Sequence, residues 1–565
     1  MDFKITILKN GKLLTLLEMN HSIKFNELKT ELCKKEQIEN YVMTKINNKE
    51  YLRNNMEIKE DIKIDLVCYN TTEGYRIHQA TLIFLLNRAF AELFSFDNKL
   101  VIEHSIGDGV YCETFDGMRL TKEDITKLTE KINVYIKEEL AIEKLYLPLD
   151  AVLKIFDDNG QKRDDLIKNF EEMDSNKNIT VYKCGDYYDY SIRELLTNTN
   201  SIKGFNLLYY SPGLIMRFPQ KSSVEMDDNF EWKEKLFSTH QQHDKWLNIL
   251  DLHNVSSLNR RIDDDKEFID IKKTILIEEA LHENKIVEIA TTIASKMKDV
   301  KLILIAGPSS SGKTTFAKRL DIQLRVEGLS SKVLNLDSYF VSRTETPRKA
   351  NGEIDYEAIE AINLKMLNSN LMDLMNGKEV ELPKYDFKEG ISKLSGKKMK
   401  LEDNDILILE GIHGLNPQLT ESIPFNLKTK IYVSALNNLN IDSHNRIATT
   451  DSRKIRRLVR DNNYRKHNAT TTLKMWDSVR EGEDTHIFPY QENATFMFNS
   501  TLTYELGVLK EQATKALLEV TEDEPVYMEA QRLLKILDHF KQINHKLIPL
   551  NSILREFYGG NVFDY

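Results

Sequence analysis

An apolar run that leads directly into a glycine- and serine-rich loop constrains this chain more than any other stretch. Residues Leu302 to Ala306 are all apolar, as in a strand that is buried on both faces. The loop Gly307-Pro-Ser-Ser-Ser-Gly-Lys-Thr314 follows, and Phe316 opens a helical period. Strand, loop and helix in this order are the context of a phosphate-binding P-loop, in which backbone N–H groups and the helix N-terminus surround phosphate oxygens. We therefore expect an α/β fold built around a nucleotide phosphate site.

Composition limits the other possibilities. The 565 residues are 41% hydrophobic and 29% charged, as in a globular protein with more than one domain. No apolar run approaches the length of a membrane span. Four cysteines without Cys-x-x-Cys spacing argue against a disulfide framework or a zinc ribbon, and together with the lack of a signal-peptide pattern they predict a cytoplasmic protein. The net charge of −10 argues against strong non-specific nucleic-acid binding.

The residue pattern divides the chain into five predicted domains or segments. Residues 1–67 show short alternating strands around one helix, and residues 70–220 form a second α+β unit with predicted helices over Ala80 to Phe94 and Thr121 to Glu139. Residues 221–300 are a predicted helical connector. Residues 301–520 alternate strands and helices, as a parallel sheet requires. Residues 521–565 are a predicted C-terminal helical extension.

Two carboxylates follow apolar strands behind the P-loop. Asp337 comes at the end of Lys332-Val-Leu-Asn-Leu-Asp337, and Glu410 ends Asp405-Ile-Leu-Ile-Leu-Glu410. The carboxyl ends of parallel strands meet at the edge of the sheet where such folds bind ligands. At that edge Asp337 is placed to accept a proton from an attacking hydroxyl, and Glu410 to hold Mg²⁺ on a nucleotide.

A basic helix is predicted further along the chain. Arg453, Arg456, Arg457 and Arg460 recur three or four residues apart, so several of them share a helix face. Two interpretations stay open for this helix. It is either a mobile lid whose guanidinium groups neutralise charge on a transferring phosphoryl group, or a solvated surface helix.

Together these motifs resemble the uridine kinase family. The P-loop, Leu336-Asp-Ser-Tyr-Phe340, Pro383-Lys-Tyr-Asp-Phe387, Leu409-Glu-Gly-Ile412 and Asp451-Ser-Arg-x-x-Arg-Arg-x-x-Arg-Asp461 occur in the family's order across about residues 300–510. The resemblance implies a P-loop kinase domain that uses ATP and Mg²⁺ to phosphorylate the 5′-hydroxyl of a uridine- or cytidine-like nucleoside.

The resemblance also implies roles for individual residues. The implied catalytic residues are Lys313, Asp337, Arg457 and Arg460, with Asp337 as the general base. The residues implied to bind ATP are Gly307, Ser309, Ser310, Ser311, Gly312, Lys313, Thr314, Thr315 and the lid residue Arg465. Those implied to hold Mg²⁺ are Thr314, Asp337 and Glu410, and those implied to contact the substrate are Asp337, Asp355 and Tyr385.

The chain departs from the family pattern at two places near the acceptor. The family has His-Pro directly after the aspartate that Asp355 matches, where this chain has Tyr356-Glu357. It also has a histidine shortly after Tyr-Asp-Phe, where this chain continues with Lys388-Glu-Gly. Because these positions contact sugar and base, the resemblance supports phosphoryl transfer more strongly than it supports uridine as the acceptor.

The N-terminal third resembles parts of another family. Residues 1–67 resemble a TGS domain, a β-grasp module. The next segment resembles the second N-terminal domain of threonyl-tRNA synthetases at Ile106-Gly-Asp-Gly-Val-Tyr-Cys112, Leu120-Thr-Lys-Glu-Asp-Ile125 and Tyr182-Lys-Cys-Gly-Asp-Tyr-Tyr-Asp-Tyr190. The synthetases carry His-x-x-x-His and Cys-x-x-x-His editing motifs there. In this chain Leu82 follows His78 and Tyr188 follows Cys184 at those spacings, so we expect a domain without editing activity.

The predicted architecture is therefore multidomain: a TGS-like β-grasp domain and an α+β synthetase-like domain, followed by an α/β P-loop kinase domain with a parallel sheet. The leading functional hypothesis is a nucleoside kinase. The alternatives are a related P-loop kinase of a non-nucleoside small molecule and a nucleotide-dependent, RNA-associated regulator. No Asn-Lys-x-Asp follows residue 315, which argues against a GTPase. An RNA or nucleotide regulator at the N-terminal domains and a homo-oligomer both stay open.

Overall fold

The computed structural model describes residues 3–563 except 54, 97, 116, 162, 172–177, 264–269, 350, 351, 353, 387 and 388. Phe387 and Lys388, on which part of the sequence comparison depends, thus lie outside the described residues. Among the described residues, no helix is both long and apolar enough to cross a bilayer.

The N-terminal segment is a mixed sheet with one helix packed on it. Its elements are β1 (Phe3–Lys9), β2 (Lys12–Met19), β3 (Ile23–Lys24), α1 (Phe25–Lys35), β4 (Tyr41–Ile46), β5 (Glu50–Tyr51), β6 (Glu57–Ile58) and β7 (Ile62–Cys68). Strand order is β2-β1-β7-β4-β5, with β1 parallel to β7 and antiparallel to β2. Phe3, Ile5 and Ile7 alternate along β1 and share one buried cluster with Leu28 and Leu32 of α1. The helix and strands predicted for this segment are present.

Residues 70–220 contain a four-stranded and a three-stranded antiparallel sheet, of order β13-β14-β9-β8 and β10-β11-β12. The elements are α2 (Thr72–Phe94), β8 (Leu100–Ile106), β9 (Gly109–Thr114), α3 (Lys122–Lys137), β10 (Glu143–Leu147), α4 (Leu149–Asp158), α5 (Asp164–Glu171), β11 (Ile179–Cys184), β12 (Tyr187–Tyr190), β13 (Asn206–Tyr210) and β14 (Gly213–Arg217). Helix α2 begins eight residues before the predicted Ala80, because the Thr71 hydroxyl caps it by accepting a hydrogen bond from Gly74 N at 3.0 Å.

Residues 221–300 contain helices α6 (Glu234–Leu250), α7 (Val255–Asp263) and α8 (Ile271–Lys296). They are not a free linker, because α8 packs along helix α9 (Lys313–Val326). Arg319 of α9 donates to Glu283 Oε2 at 2.6 Å and to Glu279 Oε2 at 3.3 Å. The helices are therefore part of the same folded body as the segment that follows them.

The C-terminal half contains a five-stranded parallel sheet of order β16-β19-β15-β20-β21. Its strands are β15 (Leu302–Ala306), β16 (Ser330–Asn335), β19 (Asp405–Glu410), β20 (Lys428–Ser434) and β21 (Phe496–Asn499), and β17 (Val380–Asp386) pairs separately with β18 (Ile391–Met399). The remaining helices are α10 (Leu364–Met375), α11 (Thr449–Arg460), α12 (Ala469–His486), α13 (Glu505–Leu518), α14 (Tyr527–Asp538) and α15 (Arg555–Tyr558). Every residue of β15 and β19 is buried, as the predicted double-sided packing requires.

One hydrophobic core crosses the boundaries drawn from the sequence. It contains Val152 from the second segment, Ile275 from α8, Ile303 from β15 and Phe557 from α15. Burial of such side chains contributes about 1.5–3 kcal/mol each. The C-terminal extension and the second segment thus stabilise the parallel-sheet domain directly.

Candidate active site

The loop between β15 and α9 has room only for glycine at two positions. A Cβ on Gly307 would lie 1.9 Å from the Val433 carbonyl oxygen, so the backbone of the loop can approach β20 only without a side chain. Gly312 has φ +86°, and a Cβ there would lie 2.5 Å from Ile553 Cγ2. The glycine spacing that the sequence showed is thus required by this loop and by the chain segment that covers it.

Lys313 and Thr314 begin α9 beneath this loop. Lys313 Nζ donates to the carbonyl oxygens of Gly307 and Pro308 at 3.0 and 3.1 Å, and burial lowers its pKa. The Thr314 hydroxyl donates to Glu410 Oε1 at 3.1 Å. The structure therefore brings the loop lysine and threonine next to the acid at the end of β19.

Asp337 joins this group from a position that differs slightly from the prediction. Strand β16 ends at Asn335, and Asp337 lies in the 3₁₀ turn Leu336–Tyr339 that follows it. Asn335 links the two acids, because its Nδ2 donates to Glu410 Oε1 at 3.1 Å and its Oδ1 accepts from Asp337 N at 2.8 Å. No sequence motif singles out Asn335.

Loss of hydration dominates the electrostatics of the two acids in the cleft. Burial raises the pKa of Glu410 to about 7, with Lys313 acting in the opposite direction and Glu556 adding to the rise. The surrounding protein also raises the pKa of Asp337, although its side chain stays open to solvent along the cleft, and Lys313 and Arg465 oppose this shift. A cation in the cleft would favour the ionised forms of both acids.

The arginine helix is buried rather than solvated. Arg453 and Arg456 of α11 are 1% and 0% exposed, so the surface-helix interpretation is wrong for them. Helix α11 packs between α12, α13 and α15, and its guanidinium groups replace water with protein partners. Arg453 pairs with Glu483 and donates from Nε to the Ser309 carbonyl oxygen at 2.9 Å, while Arg456 pairs with Glu505.

The other arginines predicted for the lid lie toward the cleft end of this helix. Arg457 Nη1 donates to the Ser309 hydroxyl at 2.8 Å, so it reaches the P-loop directly. Arg460 donates to Asp461 Oδ1 at 2.8 Å, and Arg465 Nε lies 3.7 Å from the same carboxylate. The structure thus brings Arg457 to the loop, places Arg465 within electrostatic range of Asp337, and holds Arg460 on Asp461.

The residues predicted to contact the acceptor, Asp355 and Tyr385, are held by contacts with Glu357 and Phe340. Asp355 Oδ1 accepts from Glu357 N at 3.1 Å. The rings of Tyr385 and Phe340 are 5.6 Å apart, and burial together with a hydrogen bond to Tyr356 raises the pKa of Tyr385. Tyr356, which stands where the family has histidine, therefore contacts Tyr385 of the predicted acceptor pocket.

Glu357, the second departure from the family pattern, also faces the cleft. Burial and the nearby Glu483 raise its pKa to about 7, and Arg457 opposes them. A Cβ on Gly482 of α12 would lie 2.6 Å from Glu357 Cβ, so this helix packs directly on the glutamate. The sequence marks Glu357 only as a departure from the family's His-Pro and does not indicate its position in the cleft.

Two further glutamates occupy amide groups of the P-loop, and no sequence motif pointed to them. Glu483 Oε1 accepts from Ser309 N at 3.0 Å. Glu556 of α15 accepts from Thr315 N at 3.1 Å and from the Thr315 hydroxyl at 2.8 Å through one oxygen. Backbone N–H groups of this loop and helix start are the donors that a P-loop offers to phosphate. Carboxylates thus hold part of the phosphate-binding surface in this conformation.

The synthetase-like segment does not gather a second site around His78 and Cys184. His78 Nε2 accepts from Lys203 N at 2.9 Å, and burial lowers its pKa to about 3. Arg88 donates to Cys184 Sγ at 3.2 Å, and burial raises the pKa of this thiol. Among the described residues no three His, Cys, Asp or Glu side chains form a metal-binding group. These contacts are those of packing residues.

Comparison with known proteins agrees with both resemblances. A uridine kinase of Ureaplasma parvum serovar 3 is 29% identical over 194 residues, which cover 34% of this chain and 84% of that protein. A uridine kinase of Staphylococcus aureus strain JH9 is 31% identical over 199 residues, 35% of this chain and 86% of its own length. A threonine–tRNA ligase of Prochlorococcus marinus strain MIT 9515 is 29% identical over 158 residues, which are 28% of this chain and 24% of the ligase.

The ligase match supports the synthetase-like N-terminal part of the chain. The model of the phosphoribulokinase/uridine kinase family matches residues 302–506, the range that holds the P-loop, Asp337, Glu410 and α11. The chain therefore belongs to the phosphoribulokinase/uridine kinase family, with a family domain in its C-terminal half.

Proposed function

We propose that this chain is an ATP- and Mg²⁺-dependent kinase that phosphorylates the 5′-hydroxyl of a uridine- or cytidine-like nucleoside. The observation that carries the proposal is the convergence of Lys313, Thr314, Glu410 and Asp337 in one cleft. Asn335 is hydrogen-bonded to the Glu410 carboxylate and to the backbone N–H of Asp337. Positioning and electrostatic stabilisation supply most of the catalysis in phosphoryl transfer, and this set of residues provides both.

Each residue of the cleft has a role in this proposal. Gly307, Ser309 to Gly312 and Thr315 line the phosphates, and Lys313 leaves its two loop carbonyls to contact the β- and γ-phosphates. Asp337 accepts the proton of the attacking hydroxyl. Arg457, Arg460 and Arg465 neutralise charge on the phosphoryl group as it transfers.

The donors available for Mg²⁺ are hard oxygens, which suit this ion. They are the Thr314 hydroxyl and the carboxylates of Glu410 and Asp337. Mg²⁺ keeps several waters and substrate phosphates as ligands, so one or two protein oxygens are enough to hold it. When bound, the ion neutralises charge on the β- and γ-phosphates. Its charge would also favour ionised Glu410, whose pKa burial raises to about 7.

For the identity of the acceptor, one observation favours a second candidate. Asp355 is placed to bind a ribose hydroxyl and Tyr385 to line the base pocket. Tyr356 and Glu357 stand where the family has His-Pro, and Tyr356 accepts from Arg343 Nε at 3.1 Å beside Tyr385. This altered wall favours, as the second candidate, a related kinase whose acceptor is another small hydroxyl compound.

We further propose the domain division given by the sequence: 1–67 TGS-like, 70–220 synthetase-like without editing residues, 221–300 helical, 301–520 kinase and 521–565 C-terminal extension. The sheet order of the first segment, with β1 and β7 parallel at its centre, supports a β-grasp module. A nucleotide or RNA regulator acting at these N-terminal domains belongs to the same proposal.

The test is acceptor-dependent ADP release by the full chain with Mg-ATP. The panel contains pyrimidine and purine nucleosides, a sugar phosphate and a pantothenate-like alcohol, and the Lys313→Ala variant is the blank. We expect one pyrimidine nucleoside to give the highest kcat/KM. Faster release with a non-nucleoside alcohol would favour the second candidate, and ADP release independent of every acceptor would contradict both.

Glu556 gives a separate prediction about nucleotide affinity. Because its carboxylate occupies the Thr315 amide and hydroxyl, a phosphate at this position must displace it and meets its negative charge. We expect Glu556→Gln to tighten ATP binding by about threefold to tenfold, since the charge is removed while the side-chain shape is kept. Isothermal titration calorimetry with Mg-ATP measures the change.

The matched control for this prediction is Glu519→Gln, at an exposed position after α13. This variant should bind ATP like the unmodified chain. Unchanged or weaker ATP binding by Glu556→Gln would show that Glu556 does not compete with phosphate.

A further inference from the structure

A cavity of about 450 Å³ lies where the N-terminal sheet, the second segment and the kinase helices meet. One wall comes from β4, β5 and the start of α2. A second comes from β10 and the chain around Ile192 to Glu194, and the third from Lys454 of α11, Trp476 of α12 and α14. None of its lining residues belongs to the P-loop cleft. The volume is that of a small-molecule site.

The cavity lining carries more cations than carboxylates: eight of the lining residues are Lys or Arg and five are Asp or Glu. Arg532 Nη2 lies 2.6 Å from Asp451 Oδ1, and Arg193 Nη2 lies 3.3 Å from the other oxygen of the same carboxylate. Lys454 pairs with Glu529, and Arg76 Nη1 lies 3.2 Å from Glu529 Oε1. Four cationic side chains from the three walls thus share two carboxylates.

Two of the four cations have lowered pKa values, whereas Asp451 and Glu529 raise the pKa of Arg532. Burial, together with Arg76 and Arg532, lowers the pKa of Lys454 to about 8 despite its pairing with Glu529. Burial and the neighbouring guanidinium groups also lower the pKa of Arg193 to about 9. An anion in the cavity would relieve this repulsion.

The opposite wall repeats the imbalance. Glu194 accepts from Lys144 Nζ and from Arg53 Nη1, each at 2.6 Å, so one carboxylate serves two cations. Lys535 lies at the rim with its side chain exposed, and it makes no ion pair with any residue that the structure describes. The surrounding protein and then Lys144 lower its pKa, and Glu194 opposes them. The whole chain has a net charge of −10, so this positive surface is local.

Two aromatic side chains add a second kind of contact. Tyr146 is 61% exposed on the wall formed by β10 and offers its ring to the cavity mouth. Trp476 is 2% exposed, lines the cavity, and its buried indole Nε1–H has no acceptor among the described residues. Tyr146 thus offers an exposed ring to a ligand, and Trp476 lies in the cavity wall where its fluorescence reports on occupancy.

Helix α11 connects this cavity with the P-loop. Lys454 lies in the cavity wall, and its chain neighbour Arg453 donates to the Ser309 carbonyl oxygen of the P-loop. Both side chains contact the Trp476 ring, whose centre is 5.4 Å from Lys454 Nζ and 5.5 Å from the Arg453 guanidinium carbon. A charge bound beside Lys454 therefore acts on the same rigid element that holds the loop.

We propose that this cavity is a second binding site, for a small organic phosphate that carries at least two negative charges and a planar ring, as a nucleoside polyphosphate does. The phosphates of the ligand lie near Lys454 and Lys535, and its ring lies beside Tyr146 and Trp476. A regulatory effect on catalysis through α11 follows if the proposed kinase function is correct, whereas binding itself does not depend on that function.

Calorimetric titration of the full chain with UTP in the absence of acceptor tests the site. We use the Lys313→Ala background, which weakens the P-loop cleft, and compare it with Lys313→Ala/Lys535→Glu and with Lys313→Ala/Lys397→Glu, whose additional change lies on the exposed strand β18. We expect binding at least tenfold weaker with Lys535→Glu and unchanged with Lys397→Glu. Equal affinity in all three proteins would overturn the proposal.

Tryptophan fluorescence gives a readout that does not require a cavity lysine to be changed. We expect pyrophosphate and UTP to alter the emission of the Lys313→Ala chain, and this change to disappear when Trp476→Phe is added, although Trp232 and Trp246 remain. Tighter binding of UTP than of pyrophosphate supports the ring contact. A fluorescence change that remains in the Trp476→Phe variant would contradict the site. So would the absence of any change, with either pyrophosphate or UTP, in the protein that contains Trp476.

These results are distinguishable from a failure of the proposed function. If no acceptor is phosphorylated but UTP binding depends on Lys535 and Trp476, the cavity stands and the kinase proposal fails. If an acceptor is phosphorylated but UTP binding does not depend on Lys535 or Trp476, the kinase proposal stands and the cavity proposal fails.

Discussion

The Asp337→Asn variant is expected to turn over about 100-fold or more slowly than the unmodified chain while it binds ATP nearly as well. Asparagine has the same shape as aspartate but cannot take the proton of the attacking hydroxyl. The turn that carries residue 337 is held through its backbone, because Asp337 N donates to Asn335 Oδ1 at 2.8 Å. The substitution therefore removes the base and keeps the turn in place.

Steady-state kinetics at saturating Mg-ATP measures this effect, with Asp373→Asn on α10 as the control for loss of a surface carboxylate. The environment raises the pKa of Asp337, so activity of the unmodified chain should fall as pH decreases through that pKa and the carboxylate takes up its proton. The pH–activity profile of Asp337→Asn should lack this fall at low pH. If Asp337→Asn turns over within a few-fold of the unmodified chain, Asp337 is not the general base.

The second large effect expected is on stability, from Arg456→Met. Arg456 is completely buried, and its guanidinium pairs with Glu505 and donates to the Ser500 carbonyl oxygen at 2.8 Å. Methionine fills much of the same volume but leaves Glu505 buried without its cation. We expect the free energy of unfolding to fall by about 3–5 kcal/mol, the usual cost of breaking a buried ion pair.

Urea denaturation compares this variant with the double variant Arg456→Met/Glu505→Leu. With both charges absent, the double variant should lose less stability than the single one, because no buried charge is left alone. A double variant that is less stable than the single variant would show that the pair acts through packing rather than charge.

The sequence predicted those parts of the site that local physics determines. The apolar run Leu302 to Ala306 could only be a buried strand before a glycine-rich loop, and it is β15. The run from Asp405 to Glu410 is β19 with the same bounds, and its final acid reaches the Thr314 hydroxyl. In each case the residues that set the structure are neighbours in the chain.

The parts that the sequence could not predict depend on contacts distant in the chain. Glu556 reaches the amide of Thr315 from 241 residues away, and nothing near either residue indicates the pairing. The buried state of α11 has the same origin, because an arginine-rich helix is solvated unless other elements supply its partners. Glu483 and Glu505 supply them for Arg453 and Arg456.

The N-terminal half shows the same limitation at the level of domains. Its composition predicted separate units, yet Arg193 and Arg76 of this half reach Asp451 on α11 at 3.3 and 3.9 Å. Arg163 contributes a further contact across the boundary, 2.6 Å from Asp442. These ion pairs attach the synthetase-like segment to the helix that holds the P-loop, so the two halves form one electrostatic unit.

The most direct test of phosphoryl transfer is mass spectrometry of the products that the purified chain forms from Mg-ATP with ¹⁸O in the γ-phosphoryl group and the acceptor that gives the fastest ADP release. We expect a single phosphorylated acceptor that carries the labelled oxygens and is absent with Lys313→Ala. Labelled inorganic phosphate without any phosphorylated acceptor would contradict this expectation, because the cleft would then hydrolyse ATP rather than transfer its phosphoryl group.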